Sequence, residues 1–144
     1  MPRLQPITKG HPADGRERKD IMRRDLDLIR NMLLKMESLD SSYGIVRLHT
    51  FKDLCDDDAV ISLHIHLLLD AGFIEATDSI YLDENVDDFL ITRITFAGYD
   101  YLGSIRSDSV WNEVKKRIAS VGGSVSLEIV KDLGVTLLKT QLGI

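Results

Sequence analysis

The chain is short of several residue types, and each shortage excludes a class of protein. Its single cysteine, Cys55, cannot form an internal disulfide, which fits a reducing compartment. No apolar run approaches the roughly 18–20 residues that span a bilayer, and residues 1–20 lack the apolar core of a signal peptide. We therefore expect a cytoplasmic protein that does not associate with a membrane.

The motifs of common catalytic and binding sites are also missing. No glycine-rich loop follows a strand to cradle a phosphate. His64 and His66 would lie about 200° apart on a helix, too far apart to share a metal. Residues 56–58, three consecutive aspartates, lack the glycine of a calcium loop and are better suited to capping a helix. No nucleophile, base and orienting group are evident together, so we expect no catalytic residue, no cofactor and no metal.

Charge is distributed unevenly along the chain. Residues 1–24 hold 7 of the 18 basic residues but only 3 of the 23 acidic ones. The remaining 11 basic residues are therefore outnumbered by 20 acidic residues. A body this acidic repels nucleic acid unless its charges segregate onto one face.

Proline and periodicity divide the chain into three predicted parts. All three prolines precede residue 13, and no hydrophobic period is present there, which predicts a flexible basic arm over residues 1–19. Residues 20–107 are predicted to form an α+β, winged-helix-like domain with a small β wing. Residues 108–144 are predicted to be a C-terminal helical extension.

Hydrophobic spacing and turn residues place the elements within these parts. Helices are predicted near 21–39, 58–71 and 96–106, and a short strand over 45–50. Residues 73–78 and 89–95 are predicted to pair as the wing, with 79–88 as a polar loop. Two further helices are predicted, one capped by Asp108 or Ser109 and one beginning near Ser126 after the break at Gly122-Gly123.

Several stretches, in order along the chain, resemble the small bacterial and prophage proteins grouped as domain of unknown function 2513. These stretches are 23–30, 66–74, 93–102, 109–115 and 122–128. The resemblance implies a winged-helix-like fold, and it implies no established activity and no catalytic residue.

A DNA-binding winged helix inserts the helix before its wing into the major groove. Here that helix, near 58–71, has no Lys or Arg, and the wing loop carries aspartates and a glutamate. Both surfaces would bring carboxylates against phosphates. The charge pattern therefore argues against DNA binding in this mode.

Two hypotheses for function follow from these observations, with an enzyme as a third and weaker one. The first is a non-catalytic protein-interaction module that forms a homo-oligomer, because the C-terminal extension is too apolar to be left in solvent. Its candidate interface residues are Trp111, Leu127, Val130, Leu133, Leu137, Leu138 and Leu142. The competing explanation for their apolarity is that the extension folds back on its own domain.

The second hypothesis is a DNA-binding transcriptional regulator that uses its basic arm. Its candidate nucleic-acid contacts are Arg16, Arg18, Lys19, Arg23, Arg24 and Arg30.

Overall fold

The computed structural model of the chain describes residues 23–40, 44–83 and 86–144, with only the backbone for 78–83. The predicted arm, 1–19, lies outside the described residues. Helix α1 (Leu26–Ser38) begins where the Asp25 carboxylate accepts the Leu28 N–H at 3.1 Å. Its inward face buries Ile29, Met32 and Leu33. The helix predicted over 21–39 is confirmed as an element, but it begins at Leu26, because residues 23–25 are described and are not helical.

The strand predicted over 45–50 is wrong. Only Val46 pairs, in an isolated antiparallel bridge with Ile91. The chain then turns into a 3₁₀ helix (Leu48–Phe51), because the Thr50 side chain accepts the Arg47 N–H and the Thr50 N–H returns to the Arg47 carbonyl. Exposed and buried residues do alternate along this segment. The apolar–polar alternation in the sequence therefore predicted burial correctly, although the backbone does not form a strand.

Helix α2 (Asp58–Asp70) agrees with the predicted 58–71. The Asp57 carboxylate caps it by accepting the Ala59 and Val60 N–H groups, which confirms the capping role expected of the aspartate triplet. The helix ends at Asp70, and Gly72, two residues later, has a φ of +77°, a backbone conformation that glycine adopts without steric cost.

Two antiparallel strands follow, β1 (Ile74–Asp83) and β2 (Val86–Ile94). The polar loop predicted over 79–88 is therefore wrong, because strand pairing continues through Tyr81↔Asp87 to Asp83↔Val86. Irregularities in the register interrupt the ladder three times. The result is a two-stranded ribbon considerably longer than the predicted wing.

Helix α3 (Phe96–Ile105) is held to the base of this ribbon by Thr95. The Thr95 side chain caps the helix through the Gly98 N–H and also donates to the Gly72 carbonyl. The Thr95 N–H donates to the Phe73 carbonyl at 2.9 Å. The Thr-x-x-Gly motif is thus a structural clamp between α3 and the end of α2.

Helices α4 (Asp108–Ala119) and α5 (Leu127–Leu142) form an antiparallel hairpin. Ser107 caps α4, so the cap predicted at Asp108 or Ser109 is one or two residues too late. Helix α5 begins next to Ser126 as predicted, and the Ser126 side chain caps it by accepting the Ile129 N–H. Gly122 and Gly123, with φ of +105° and +85°, make the turn between the two helices.

One hydrophobic cluster includes side chains from every helix and from both strands. Trp111, Val114 and Ile118 of α4 and Val130 of α5 belong to it. The α+β class is confirmed by five α-helices and a two-stranded antiparallel sheet in the described part of the chain. None of the helices in these residues is long and apolar enough to cross a membrane.

Candidate functional site

The start of α1 is the point where contacts from several elements meet. The Arg24 guanidinium donates to the Val125 carbonyl at 2.6 Å, in the turn before α5. The Asp25 N–H donates to Nε2 of His64 on α2 at 2.8 Å. The Asp27 carboxylate accepts the Trp111 indole N–H at 2.8 Å and pairs with Lys115 at 3.1 Å, both on α4.

Arg30, one turn further along α1, joins this helix to the connection between α3 and α4. Its guanidinium donates to the carbonyls of Ile105 and Arg106 and pairs with Asp108 at 2.8 Å. Arg30 is only 7% exposed. Its cation therefore satisfies the carbonyls that α3 leaves free at its C-terminus.

Arg30 is consequently withdrawn from the predicted nucleic-acid contacts, because a buried guanidinium with three partners cannot reach a phosphate. Arg23 and Arg24 are exposed, as that prediction requires. Arg16, Arg18 and Lys19 lie outside the described residues.

Helix α2, which would be the DNA-reading helix of a winged-helix regulator, is covered over much of its surface. Val60, Ile61, Ser62, His64, Ile65 and Leu68 are all buried. On the ribbon side, the Ser62 hydroxyl accepts the Asp87 N–H at 3.0 Å, and His66 Nε2 lies 3.1 Å from the Asp87 carboxylate. The His66 ring also packs edge-on against Phe89. The ribbon therefore lies along α2.

Ser62, His66 and Asp87 thus come together, which sequence reasoning missed. Ser62 and His66 do not act as a nucleophile and its base, because the Ser62 hydroxyl donates to the Asp87 backbone carbonyl at 3.2 Å. The hydroxyl is also fully buried. A catalytic serine needs its hydroxyl bonded to the base and open to substrate. This group joins α2 to the ribbon.

Asp88 anchors the ribbon from its other side. Its carboxylate accepts from the Arg47 guanidinium at 2.6 Å and from the N–H groups of Leu48 and Phe89. Asp88 is 5% exposed, so it does not contribute to an acidic wing surface as the sequence had suggested. Its charge is compensated by Arg47.

The described part of the chain contains a polar open groove of about 480 Å³ between α1 and residues 52–56. Asp25, Asp27, Asp53 and Asp56 line it, together with Lys52. The Asp58 carboxylate raises the pKa of Lys52, so the ammonium partly offsets these carboxylates. Across the described residues, no group of three His, Cys, Asp or Glu side chains could hold a metal ion.

The predicted oligomer-interface residues occupy three environments. Trp111 and Val130 are buried against their own chain, and Arg30 and Lys115 flank the Trp111 ring within 6 Å of its centroid. Neither buried side chain can contact a partner in this conformation. Half-buried positions are Leu127, Leu133, Leu137 and Leu138, which pack against the core. Leu142 is 72% exposed.

Two exposed aromatic residues were not predicted. Phe96 is 80% exposed, and Tyr99, one turn later on α3, is half exposed. The sequence contained a signal for this exposure. Three- and four-residue spacing identifies the inward face of α3 as Gly98, Tyr101, Leu102 and Ile105, and it leaves out the two exposed aromatic residues.

Tyr101 is buried on that inward face and stacks on Phe73 with ring centroids 4.7 Å apart. Its hydroxyl has no hydrogen-bond partner among the described residues. Burial raises the pKa of this phenol, so it is neutral at physiological pH.

These features define a mixed α+β protein whose polar contacts tie helices to one another and to a ribbon. Residues 23–124 match the family described as Hypothetical protein (DUF2513), which is more than half of the chain. The chain therefore belongs to this family, in agreement with the resemblance that its sequence showed.

A relative in Haemophilus influenzae, described as an uncharacterized protein, is 36% identical over 121 residues. That match covers 84% of this chain and 99% of the relative. No solved structure matches the chain.

Proposed function

We propose that this chain is a non-catalytic, winged-helix-like interaction module that associates with a second copy through the α4–α5 hairpin. In this proposal α1, α2 and α3 form the helical core, and the ribbon takes the place of the wing. The polar clusters support a non-catalytic role, because the polar atoms of Arg30, Ser62 and Asp88 bond to backbone and side-chain groups of the same chain.

The observation that carries this proposal is the position of the exposed apolar side chains. Among the described residues, seven large hydrophobic side chains are exposed, and four of them lie in or next to the α4–α5 hairpin. These four are Val121, Ile129, Leu142 and Ile144. Val121 and Ile129 lie near the turn between the two helices, and Leu142 and Ile144 lie at the end of α5, so the proposed surface extends along the hairpin. Exposed apolar groups mark association surfaces in soluble proteins.

A two-fold dimer is the simplest assembly, because the same surface of each copy then contacts the other, and no surface is left for a third copy. Trp111 and Val130 support the hairpin from inside, whereas Ile129 and Leu142 are the contacts available to a partner. Of the seven interface residues in the sequence analysis, this proposal retains Leu142, the exposed one, and adds Ile129, which was not among them.

Charge introduced at the exposed positions tests the proposal. We expect Ile129→Glu and Leu142→Glu, combined in one chain, to convert the assembly to a monomer in sedimentation velocity. Phe96→Ser is the matched control, since it removes an exposed apolar group outside the hairpin. Dissociation by Phe96→Ser alone would place the contact on α3 and contradict the proposed interface.

The position of Arg23 and Arg24 favours a second candidate function, a transcriptional regulator that binds DNA through its basic arm. Both arginines are exposed, at the point where the predicted arm meets α1. Within the described residues, the Arg24 guanidinium donates to the Val125 carbonyl, an uncharged group, which leaves positive potential at this corner.

Binding to duplex DNA at low and moderate salt tests this second candidate. A regulator using the arm is expected to bind with a strong salt dependence, and a chain beginning at Arg23 is expected to lose most of that binding. Binding that survives this truncation but is lost on changing His66 and Asp70, the exposed residues of α2, would show that α2 reads DNA after all.

A further inference from the structure

His64 is a fully buried histidine whose two ring nitrogens both have partners. Nδ1 lies 2.8 Å from the Val60 carbonyl oxygen, within α2. Nε2 lies 2.8 Å from the backbone nitrogen of Asp25, at the start of α1. The ring therefore links two helices that are otherwise separated in sequence.

These partners fix the protonation state of the ring. The Asp25 N–H can only donate, so Nε2 must be the unprotonated, accepting nitrogen. The Val60 carbonyl can only accept, so Nδ1 must carry the proton. A second proton on Nε2 would place two N–H donors against each other at 2.8 Å, on a ring that is itself buried.

We propose that His64 is a proton-controlled latch: the neutral ring holds residues 23–25 against α2, and protonation at Nε2 releases them. The released segment includes Arg24, whose contact with Val125 ties the start of α1 to the turn before α5. Acidification would therefore loosen this corner of the molecule and free both exposed arginines. This inference stands independently of the proposed function.

The charged groups acting on the ring both belong to the segment that it holds. Arg24 opposes the imidazolium, and Asp25 favours it. The Asp25 carboxylate is already occupied, since it caps α1 through the Leu28 N–H. It cannot turn to the protonated ring without leaving that helix end uncapped, so its attraction does not keep the latch closed.

The direction of the pH effect follows from burial. Burial lowers the pKa of His64 below its ordinary value of 6.5, so the opened segment binds a proton more readily than the closed one. The latch is fully closed above the ordinary pKa and is lost as pH falls below it towards the lowered pKa of the closed state.

Nuclear magnetic resonance of the full chain tests this latch. At about pH 7.5 the His64 ring is expected to be the Nδ1–H tautomer. Below about pH 6.5, the exchange protection of the Asp25 amide, corrected for its intrinsic rate, is expected to fall by up to about tenfold per pH unit. The Val114 amide, in the middle of α4, is expected to retain its protection over the same range.

Variants of two histidines on the same helix provide the comparison. His66→Gln changes an exposed histidine and is expected to leave the pH dependence of Asp25 intact. His64→Gln keeps a donor and an acceptor without a titrating ring, so Asp25 protection is expected to become independent of pH.

The latch is overturned if the wild-type ring is the Nε2–H tautomer, or if Asp25 protection does not change as His64 titrates. It is also overturned if Val114 loses protection in parallel with Asp25, because the whole chain then unfolds together. These three outcomes are read from the wild-type protein and do not depend on whether His64→Gln folds.

Discussion

At the scale of single residues, two glycines show how closely the backbones of this fold approach one another. A Cβ atom at Gly98 would lie 2.3 Å from the Phe73 carbonyl oxygen and 2.7 Å from Cγ2 of Ile94. A Cβ atom at Gly134 would lie 2.2 Å from the Ser104 carbonyl oxygen, where α5 crosses α3. In the sequence analysis Gly98 was only one position of the 93–102 stretch that carries the resemblance, because a close approach of backbones leaves no periodic signal.

Gly98→Ala is therefore expected to destabilise the protein by roughly 1–3 kcal/mol, because backbone atoms must move to admit the methyl group. Gly103→Ala, on the same helix, is the control. Nothing lies within 4 Å of a Cβ there, so this change is expected to be neutral or to stabilise by roughly 0.5–1 kcal/mol. Chemical denaturation measures both. Equal stabilities of the two variants would contradict the close approach at Gly98.

Asp88 is the residue whose role the sequence misjudged most, since a carboxylate in a polar stretch normally faces solvent. Asp88→Ala is expected to lower the free energy of unfolding by about 2–3 kcal/mol, because the Leu48 and Phe89 N–H groups lose a buried charged acceptor. Asp88→Asn keeps an acceptor oxygen and is expected to lose less. Thermal unfolding is expected to rank the wild type as most stable, Asp88→Asn next and Asp88→Ala last. An exposed, unpaired Asp88 would not produce this ranking.

At the scale of elements, the helices were the more predictable part of this fold. Their caps and apolar spacing are local signals: Asp57 caps α2, α5 begins next to Ser126, and Gly122-Gly123 breaks the chain between helices, as the sequence predicted. The ribbon and the 45–50 segment were less predictable, because Asp88 and Thr50 act through partners that local patterns do not reveal.

The cap of α2 allows a matched comparison between neighbouring aspartates. Asp57→Ala is expected to cost about 1 kcal/mol, because the Ala59 and Val60 N–H groups lose their acceptor. Asp56→Ala, at an exposed position, is expected to change stability by less than about 0.5 kcal/mol. Urea denaturation distinguishes the two variants. A larger loss of stability in Asp56→Ala than in Asp57→Ala would show that Asp57 is not the cap.

At the scale of the whole molecule, the C-terminal extension contributes to the hydrophobic core of the same chain. Trp111, Val114 and Val130 are buried there, so removing everything after Ser107 would expose the core as well as any interface. Point substitutions on the exposed surface are therefore cleaner than truncation. The candidate site was only partly predictable for the same reason: apolar spacing identifies a packed face but not whether its partner is the same chain or another.

The central claim is that the native chain associates with a second copy of itself, and the molar mass in solution tests it most directly. Light scattering of the full chain over about a hundredfold range of concentration is expected to approach twice 16.2 kDa at the upper end. The chain carrying Ile129→Glu and Leu142→Glu is expected to remain at the monomer mass throughout. A wild-type mass of 16.2 kDa at every concentration would contradict the account.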